Sequence, residues 1–216
     1  MVHQLFHNRI LVFILCLTTF MYSCGQSSEQ QLPVYNPSDF NQALVDKSLR
    51  KTNKDHRVAD FNLINQNGKT ITQDDYQDKI YVTDFFFTSC KTICPVMTGN
   101  MAKVQEVFLN NNDVMFLSLS VTPDIDSIPK LREYATKKGV IDSKWNVTTG
   151  EKKHIYDLAR KSYFAVVEQG DGGLQDFIHT PNFILVDKKK RIRGIYDGTD
   201  TKEIKRLIKD IYILKN

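Results

Sequence analysis

Cysteine is scarce in this chain of 216 residues, which contains only four. Cys16 lies in an apolar leader and Cys24 directly follows it, so a mature domain would retain only Cys90 and Cys94. Two cysteines so close together cannot join distant parts of a fold, and this excludes a disulfide-stabilised scaffold. We therefore expect the role of the pair to be chemical rather than structural.

Several other classes of protein are excluded by what is missing. The 29 basic and 25 acidic residues nearly balance, which argues against a nucleic acid partner. The glycines of residues 169–173 match no phosphate-binding motif, and no second Cys or His pair is spaced to complete a four-ligand zinc site. The apolar run of residues 10–22 is too short for a comfortable transmembrane helix.

The first residues indicate a targeting segment instead. Arg9 is the only basic residue before the apolar run, and Ser23-Cys24-Gly25 follows the run. Met21-Tyr22-Ser23-Cys24 resembles a bacterial lipobox, in which the cysteine is lipidated and becomes the mature first residue. We predict a lipoprotein signal peptide over residues 1–23 and a lipid anchor on Cys24.

The next segment is polar, and a regular pattern begins after it. Residues 24–57 are rich in Gln, Ser, Asn, Asp and Lys and contain Pro33 and Pro37, which predicts a flexible, lipid-anchored tether. Residues 58–216 are long enough to bury a core of their own without disulfides. We expect these residues to form the single functional domain.

Within that domain, predicted strands and helices alternate. The Asn67-Gly68 pair between two short polar-apolar runs predicts an N-terminal β-hairpin. Further strands are predicted over residues 79–87, 114–121, 164–168, 182–187 and 191–196, and helices over residues 97–111, 127–138, 152–163 and 201–214. This order predicts an α/β fold in which helices flank a central mixed β-sheet on both faces.

Both cysteines lie at the turn between a buried strand and a helix. Pro95 suits the first turn of the helix, which places Cys94 at or near its N-terminus. There the helix dipole and free backbone N–H groups favour the thiolate form of Cys94. The spacing of Cys90 and Cys94 fits either a disulfide or a shared soft metal ion.

A histidine is the natural third ligand. His3 and His7 leave with the leader, and we expect His56 and His154 to be surface residues. His179 lies between the glycine loop and an apolar strand, a position that also suits a purely structural role. Two thiolates and one imidazole would form a soft, low-coordinate site suited to copper, especially Cu(I).

These residues resemble a known family. The run from Phe86 to Cys90, followed by Cys94-Pro95, is similar to the hallmark of the Sco/SenC family. Its members are membrane-tethered copper proteins of the thioredoxin fold that help to assemble the copper centre of cytochrome c oxidase. The likeness covers residues 58–214 and includes Ser120-Val121, Asp126 and His179.

The resemblance implies both a site and a role. It implies a thioredoxin-like fold and copper, as Cu(I) and also Cu(II), bound by Cys90, Cys94 and His179. It also implies a cytochrome oxidase copper-site subunit, or another copper protein, as partner. The expected location is the bacterial cell envelope, with the domain lipid-anchored to the membrane and facing the periplasm.

The sequence departs from the family pattern at four positions. Thr122 replaces an aspartate, Ile125 an arginine, Ile178 an acidic residue and Lys190 the glycine of the final hairpin. None of these changes removes an expected ligand. The changes at Thr122 and Ile125 put in doubt any partner contact or loop pairing made there, and the four together leave room for a different partner or role from those of the best-studied relatives.

Two functions remain open from the sequence. The leading hypothesis is a metallochaperone that delivers copper to a respiratory oxidase, in which His179 reaches the two thiols. The alternative is an enzyme, a membrane-anchored thiol-disulfide oxidoreductase acting on envelope proteins, in which Cys90 and Cys94 are the catalytic redox pair. His179 discriminates between them, because dithiol exchange can proceed without it and a three-ligand copper site cannot.

Overall fold

The computed structural model describes residues 31–40, 49, 55–166, 173 and 176–215. The predicted signal peptide and Cys24 lie outside these residues, as do most of the glycine loop and the end of the strand predicted over residues 164–168. No helix in the described part of the chain is long and apolar enough to cross a membrane.

In the described part of the chain, seven strands form one sheet and four α-helices pack against it. The strands are β1 (Asn62–Asn65), β2 (Thr70–Thr72), β3 (Ile80–Phe86), β4 (Val114–Ser120), β5 (Trp145–Thr149), β6 (Asn182–Val186) and β7 (Ile192–Asp197). The helices are α1 (Ile93–Val107), α2 (Ile128–Lys137), α3 (Lys152–Asp157), which continues as a π-turn over Leu158–Ser162, and α4 (Thr201–Lys215).

The sheet is mixed, as the sequence predicts. Its strand order is β2-β1-β5-β4-β3-β6-β7. The central strands β3, β4 and β5 run parallel, whereas β1 and β2 pair antiparallel at one edge and β6 and β7 at the other. Gly68 has a φ of +74°, the left-handed conformation that the predicted β1–β2 hairpin requires.

Apolar residues cover both faces of this sheet. One cluster contains Leu63, Tyr81 and Ile155 on the side of α3, and the other joins α1, α2 and α4. Met97 and Met101 are fully buried in the second cluster, so they are core residues. The carboxyl ends of the parallel strands point to the edge of the sheet at which α1 begins.

The segments that flank α3 differ from the prediction. Residues 145–149 form strand β5, because Trp145 and Val147 enter the core while the polar side chain of Asn146 accepts a hydrogen bond from Asn65. The predicted strand over residues 164–168 is wrong where the structure describes it, since residues 164–166 carry no strand. Phe164 has a φ of +50°, which is incompatible with a strand.

His56 and His154, both expected at the surface, are each partly buried. His56 is half-buried: its Nε2–H donates to the carbonyl of Ser162 across 2.7 Å, and its ring lies 4.6 Å from that of Phe164. Burial lowers the pKa of His56. The expectation of a surface residue was wrong for His56. His154 remains partly exposed, and its Nε2 accepts the backbone N–H of Asn62 at 3.4 Å.

Candidate metal and thiol site

A buried carboxylate fixes the start of the cysteine loop. Asp126 is fully buried, and it accepts the backbone N–H and the hydroxyl of Thr88 at 3.1 and 2.5 Å. The same carboxylate accepts the hydroxyls of Ser120 at 2.5 Å and Thr122 at 3.0 Å. The loop that leaves β3 is therefore tied to the carboxyl end of β4.

The two cysteines lie in hydrogen-bonding contact at the start of α1. Both are free thiols, and the backbone N–H of Cys94 donates to the sulfur of Cys90 across 3.4 Å. Cys94 is the second residue of α1, where backbone N–H groups have no partner within the helix, so one of them is directed at Cys90. Pro95 follows in the same first turn, as predicted.

The two thiols have different environments. Burial alone would raise the pKa of Cys90, but hydrogen bonds from the Cys94 thiol and from the backbone N–H groups of Cys94 and Thr92 lower it to about 7. Cys94 is only 3% exposed, and burial together with its hydrogen bond to Cys90 raises its pKa to about 12. The activated thiol is therefore Cys90, and the expectation of a Cys94 thiolate was wrong.

The side chain of His179 is exposed beside the cysteine loop. Its ring centroid is 6.2 Å from that of Phe87 and 6.5 Å from that of Phe177, and these two phenylalanine rings are 5.2 Å apart. Phe87 precedes Cys90 by only three residues. The structure thus brings the His179 segment to the cysteine loop.

The three predicted ligands do not form a closed metal site. Among the described residues, no group of three His, Cys, Asp or Glu side chains is arranged to hold a metal ion. Cys90 and Cys94 are brought together, whereas the role of His179 as third ligand stays a prediction. No described peptide bond is cis, and this includes the bond between Thr180 and Pro181.

The backbone on both sides of His179 is held firmly. Arg160 pairs with Asp176 through two hydrogen bonds of 2.6 Å, and both side chains are about nine-tenths buried. Ile178 is 3% exposed and lies in the core, which accounts for an apolar residue where the family has an acid. The Thr180 hydroxyl donates to the carbonyl of Ala165 at 2.9 Å.

Sequence reasoning missed a second buried carboxyl group below the cysteines. Asp84 in β3 is 1% exposed and accepts the hydroxyl of Ser118 at 2.5 Å, and Ser118 in turn accepts the indole N–H of Trp145. Burial raises the pKa of Asp84 to about 7, and its charge contributes to the raised pKa of Cys94. A single aspartate inside an apolar strand was the signal that could have identified it.

The comparisons with known proteins agree with this architecture. A mixed sheet that presents two free cysteines at a strand–helix turn defines a thioredoxin-like dithiol domain, and the solved structures that the chain resembles include Sco proteins. The sequence model of the SCO1/SenC family matches residues 50–213. The chain belongs to the SCO1/SenC family.

Three solved structures illustrate the relationship. A SCO1/SenC family lipoprotein from Bacillus anthracis is 32% identical, with a TM-score of 0.66 over 74% of this chain and 96% of the other. BsSco, described as a cytochrome c oxidase assembly protein with a disulfide switch, is 27% identical, with a TM-score of 0.66 over 87% and 99% of the two chains. Copper-bound ScoI of Arabidopsis thaliana, 22% identical over 72% and 98% with a TM-score of 0.55, shares the fold.

Proposed function

We propose that this chain is an assembly factor that binds copper through Cys90, Cys94 and His179 and delivers it to the copper centre of a respiratory oxidase. The observation that carries the proposal is the contact between the two free thiols at the start of α1, with the pKa of Cys90 near 7. Such a pair offers one thiolate at neutral pH before any metal arrives. The family and its copper-bound members supply the identity of the metal.

The donor set fits copper as a cargo. Thiolate sulfur and imidazole nitrogen are the ligands that Cu(I) prefers, and a low coordination number allows the ion to be passed on. Cys94 must lose its proton when the metal binds, because only the thiolate is a ligand and burial keeps the pKa of this thiol high. His179 is exposed, and its ring lies 6.2 Å from that of Phe87, which supports the proposal that it is the third ligand.

The location of the chain forms part of the same proposal. A lipid on Cys24 would attach the protein to the membrane of a bacterial cell envelope, with the domain in the periplasm. The lipobox-like sequence supports this, as does a family relative that is itself a lipoprotein. The partner would be the copper-site subunit of a cytochrome oxidase or another copper protein.

Copper stoichiometry tests the proposal. The reduced domain should bind one copper per chain, and Cys94→Ser and His179→Ala should each bind it much more weakly. His154→Ala is the matched control, because His154 is a partly exposed histidine remote in sequence from the cysteine loop, and it should bind copper as the wild type does. Wild-type affinity in His179→Ala would contradict the proposed ligand set.

A second function is favoured by the contrast between the two thiols. The Cys90 thiolate would attack a substrate disulfide, form a mixed disulfide and release one substrate thiolate. Cys94, as a thiolate, would then attack the Cys90 sulfur and release the second substrate thiolate, leaving a disulfide between Cys90 and Cys94. Reduction of disulfide substrates at an undiminished rate by His179→Ala, together with no copper binding by the wild type, would establish this alternative.

A further inference from the structure

We propose that Tyr156 is a positioning residue for the third ligand, because its hydroxyl holds the segment that carries His179 in register with the cysteine loop. The inference rests on the proposed function, since it takes His179 as a copper ligand. It adds a residue that acts on the metal site only through another residue. A change at Tyr156 should therefore weaken copper binding and leave the chemistry of the two thiols intact.

The hydroxyl of Tyr156 joins two separate segments of backbone. It lies 3.0 Å from the carbonyl oxygen of Val121 and 3.1 Å from that of Asp176. Its single proton is shared between these carbonyls, as in a three-centre hydrogen bond. Val121 directly follows β4, and Asp176 precedes His179 by three residues. The hydroxyl thus connects the end of β4 with the His179 segment.

The connection continues from β4 to the cysteine loop. The backbone N–H of Val121 donates to the carbonyl of Phe86 across 2.8 Å. Phe86 is the last residue of β3, and Cys90 follows it by four residues. Val121 and Tyr156 therefore link the strand that delivers Cys90 to the segment that carries His179.

The ring of Tyr156 is itself held in place. Tyr156 is only 2% exposed, and its neighbour Ile155 is fully buried in the core. The cations of Lys152 and Arg160 lie 5.1 and 5.4 Å from the centroid of the tyrosine ring. A ring enclosed in this way has little freedom to move its hydroxyl away from the two carbonyls.

Arg160 reinforces the same contact. Its guanidinium group donates two hydrogen bonds of 2.6 Å to the carboxylate of Asp176. Asp176 is therefore held at its carbonyl by Tyr156 and at its side chain by Arg160. Both of these residues belong to α3 and the π-turn that continues it, so one helical element fixes the start of the His179 segment.

The imidazole depends on this backbone support. Within the described part of the chain, the ring of His179 makes no hydrogen bond, although metal-binding histidines usually donate their second ring N–H to a partner. Its position is determined by the backbone that carries it and by the rings of Phe87 and Phe177. Since a metal site requires its ligands to be held within about 0.5 Å, a looser backbone should reduce affinity.

Copper affinity in a double-mutant cycle tests the role. The reduced chain is titrated with Cu(I) in competition with a chromogenic chelator. Tyr156→Phe removes only the hydroxyl, and it should weaken copper binding by about three- to tenfold, the value of one hydrogen bond. In a His179→Ala background the same change should alter the affinity by less than about twofold, because the residue through which Tyr156 acts is gone.

Tyr76→Phe is the matched control. Tyr76 is also 2% exposed, and its hydroxyl donates to the carbonyl of Phe116 at 3.0 Å and accepts the side-chain N–H of Asn146 at 2.9 Å. Phe116 lies near the start of β4, at the opposite end from Val121. Tyr76→Phe and Tyr156→Phe should lose similar unfolding free energy in urea, but only Tyr156→Phe should lose copper affinity.

A second pair of variants removes the ion pair instead of the hydroxyl. Arg160→Met should weaken copper binding at least as much as Tyr156→Phe does. Arg193→Met is its control, because the pair of Arg193 and Asp187 is 11% and 8% exposed and the pair of Arg160 and Asp176 is 11% and 9% exposed. Arg193 lies in the β6–β7 hairpin, and its loss should leave copper affinity unchanged.

Two measurements need no copper. The backbone amides of residues 177–179 should exchange with solvent faster in Tyr156→Phe than in the wild type or in Tyr76→Phe, because local opening becomes easier. The alkylation rate of Cys90 should be the same in all three proteins. Together these results would show that the hydroxyl holds the His179 segment and does not act on the thiols.

The outcomes separate this inference from the proposed function. Wild-type copper affinity in Tyr156→Phe, an equal loss with and without His179, or an equal loss in Tyr76→Phe would overturn the positioning role alone. Amide exchange that is unchanged in Tyr156→Phe would overturn it as well. Wild-type affinity in His179→Ala, or no copper on the wild type, would instead refute the proposed ligand set, and the positioning of a copper ligand with it.

Discussion

The backbone N–H of Cys94 donates a hydrogen bond to the sulfur of Cys90 across 3.4 Å. This contact makes the two cysteines unequal, because it stabilises negative charge on the sulfur of the partly exposed Cys90, while burial keeps Cys94 protonated. The helix supplies the N–H group at no conformational cost, since it has no acceptor within α1. Cys90 is therefore partly ionised at neutral pH, whereas Cys94 loses its proton only when a metal binds or a disulfide forms.

Selective alkylation should reveal this inequality. With the pKa of Cys90 at about 7, its thiolate fraction increases roughly fifty-fold between pH 5 and pH 7, and its alkylation rate should follow. Cys94 should remain almost unmodified over that range, because its pKa is raised to about 12. Peptide mass spectrometry after brief treatment of the reduced domain with iodoacetamide measures both rates.

The contribution of the Cys94 thiol to the lowered pKa of Cys90 can be separated from that of the Cys94 backbone N–H. Cys94→Ala removes the thiol hydrogen bond and keeps the N–H, so the alkylation midpoint of Cys90 should move to higher pH. Thr98→Ala, which loses a hydrogen bond to the Cys94 carbonyl, is a control that should leave the midpoint unchanged. Faster alkylation of Cys94 than of Cys90 in the wild type would contradict this account.

Asp126 should stabilise the whole domain through the cysteine loop. Asp126→Ala leaves one N–H and three hydroxyl donors without their acceptor, which should cost about 3 kcal/mol of unfolding free energy. Asp124→Ala, at an exposed carboxyl two residues earlier, should change it by less than about 0.5 kcal/mol. Urea unfolding measures both, and equal losses in the two variants would show that the buried network is unimportant.

Asp84 should make the stability of the domain depend on pH. Its pKa is raised to about 7 in the folded state by burial, whereas an unfolded carboxyl titrates near 4. Between these values the folded state keeps a proton that the unfolded state has lost, so the unfolding free energy decreases as pH rises. The decrease should end above about pH 7, where both states are ionised.

Asp84→Asn should remove this dependence. The amide oxygen can still accept the Ser118 hydroxyl. The unfolding free energy of the variant should therefore match that of the wild type near pH 4 and exceed it by a few kcal/mol at pH 8. Asp74→Asn, in the exposed turn after β2, should retain the wild-type dependence. Urea unfolding at several pH values measures this difference. If the unfolding free energies of the wild type and Asp84→Asn changed in parallel with pH, Asp84 would not titrate in this range.

Local patterns predicted the parts of this molecule that depend on neighbours in sequence. The Asn67-Gly68 hairpin, the strand before Cys90 and the position of Pro95 were all correct, because turn chemistry and apolar periodicity act over a few residues. The mixed order of the sheet followed from the alternation of strands and helices. The family resemblance added the thioredoxin-like architecture.

Long-range contacts determined what the sequence could not predict. Asp126 is 38 residues from Thr88, and Arg193 is 161 residues from Leu32, so no local sequence pattern predicts either contact. The inequality of the thiols depends on which sulfur lies in front of the first helical N–H groups. The sequence argument placed Cys94 at the N-terminus of α1 and expected its own thiol to be activated, whereas in the structure the backbone N–H of Cys94 donates to the sulfur of Cys90.

Substitutions in the turn between β6 and β7 test one departure from the family pattern, the lysine at position 190. Lys190 stands where the family has glycine, and its φ is +62°, a conformation in which a side chain costs about 1 kcal/mol. Lys190→Gly should therefore raise the unfolding free energy by up to about 1 kcal/mol, less a small loss from the exposed ion pair with Asp60. Lys190→Ala should gain nothing because it keeps the Cβ atom, and Lys189→Gly should lose stability because Lys189 does not have a positive φ. Thermal and urea unfolding of the three variants give the comparison, and a Lys190→Gly domain less stable than Lys190→Ala would show that the turn carries no backbone strain.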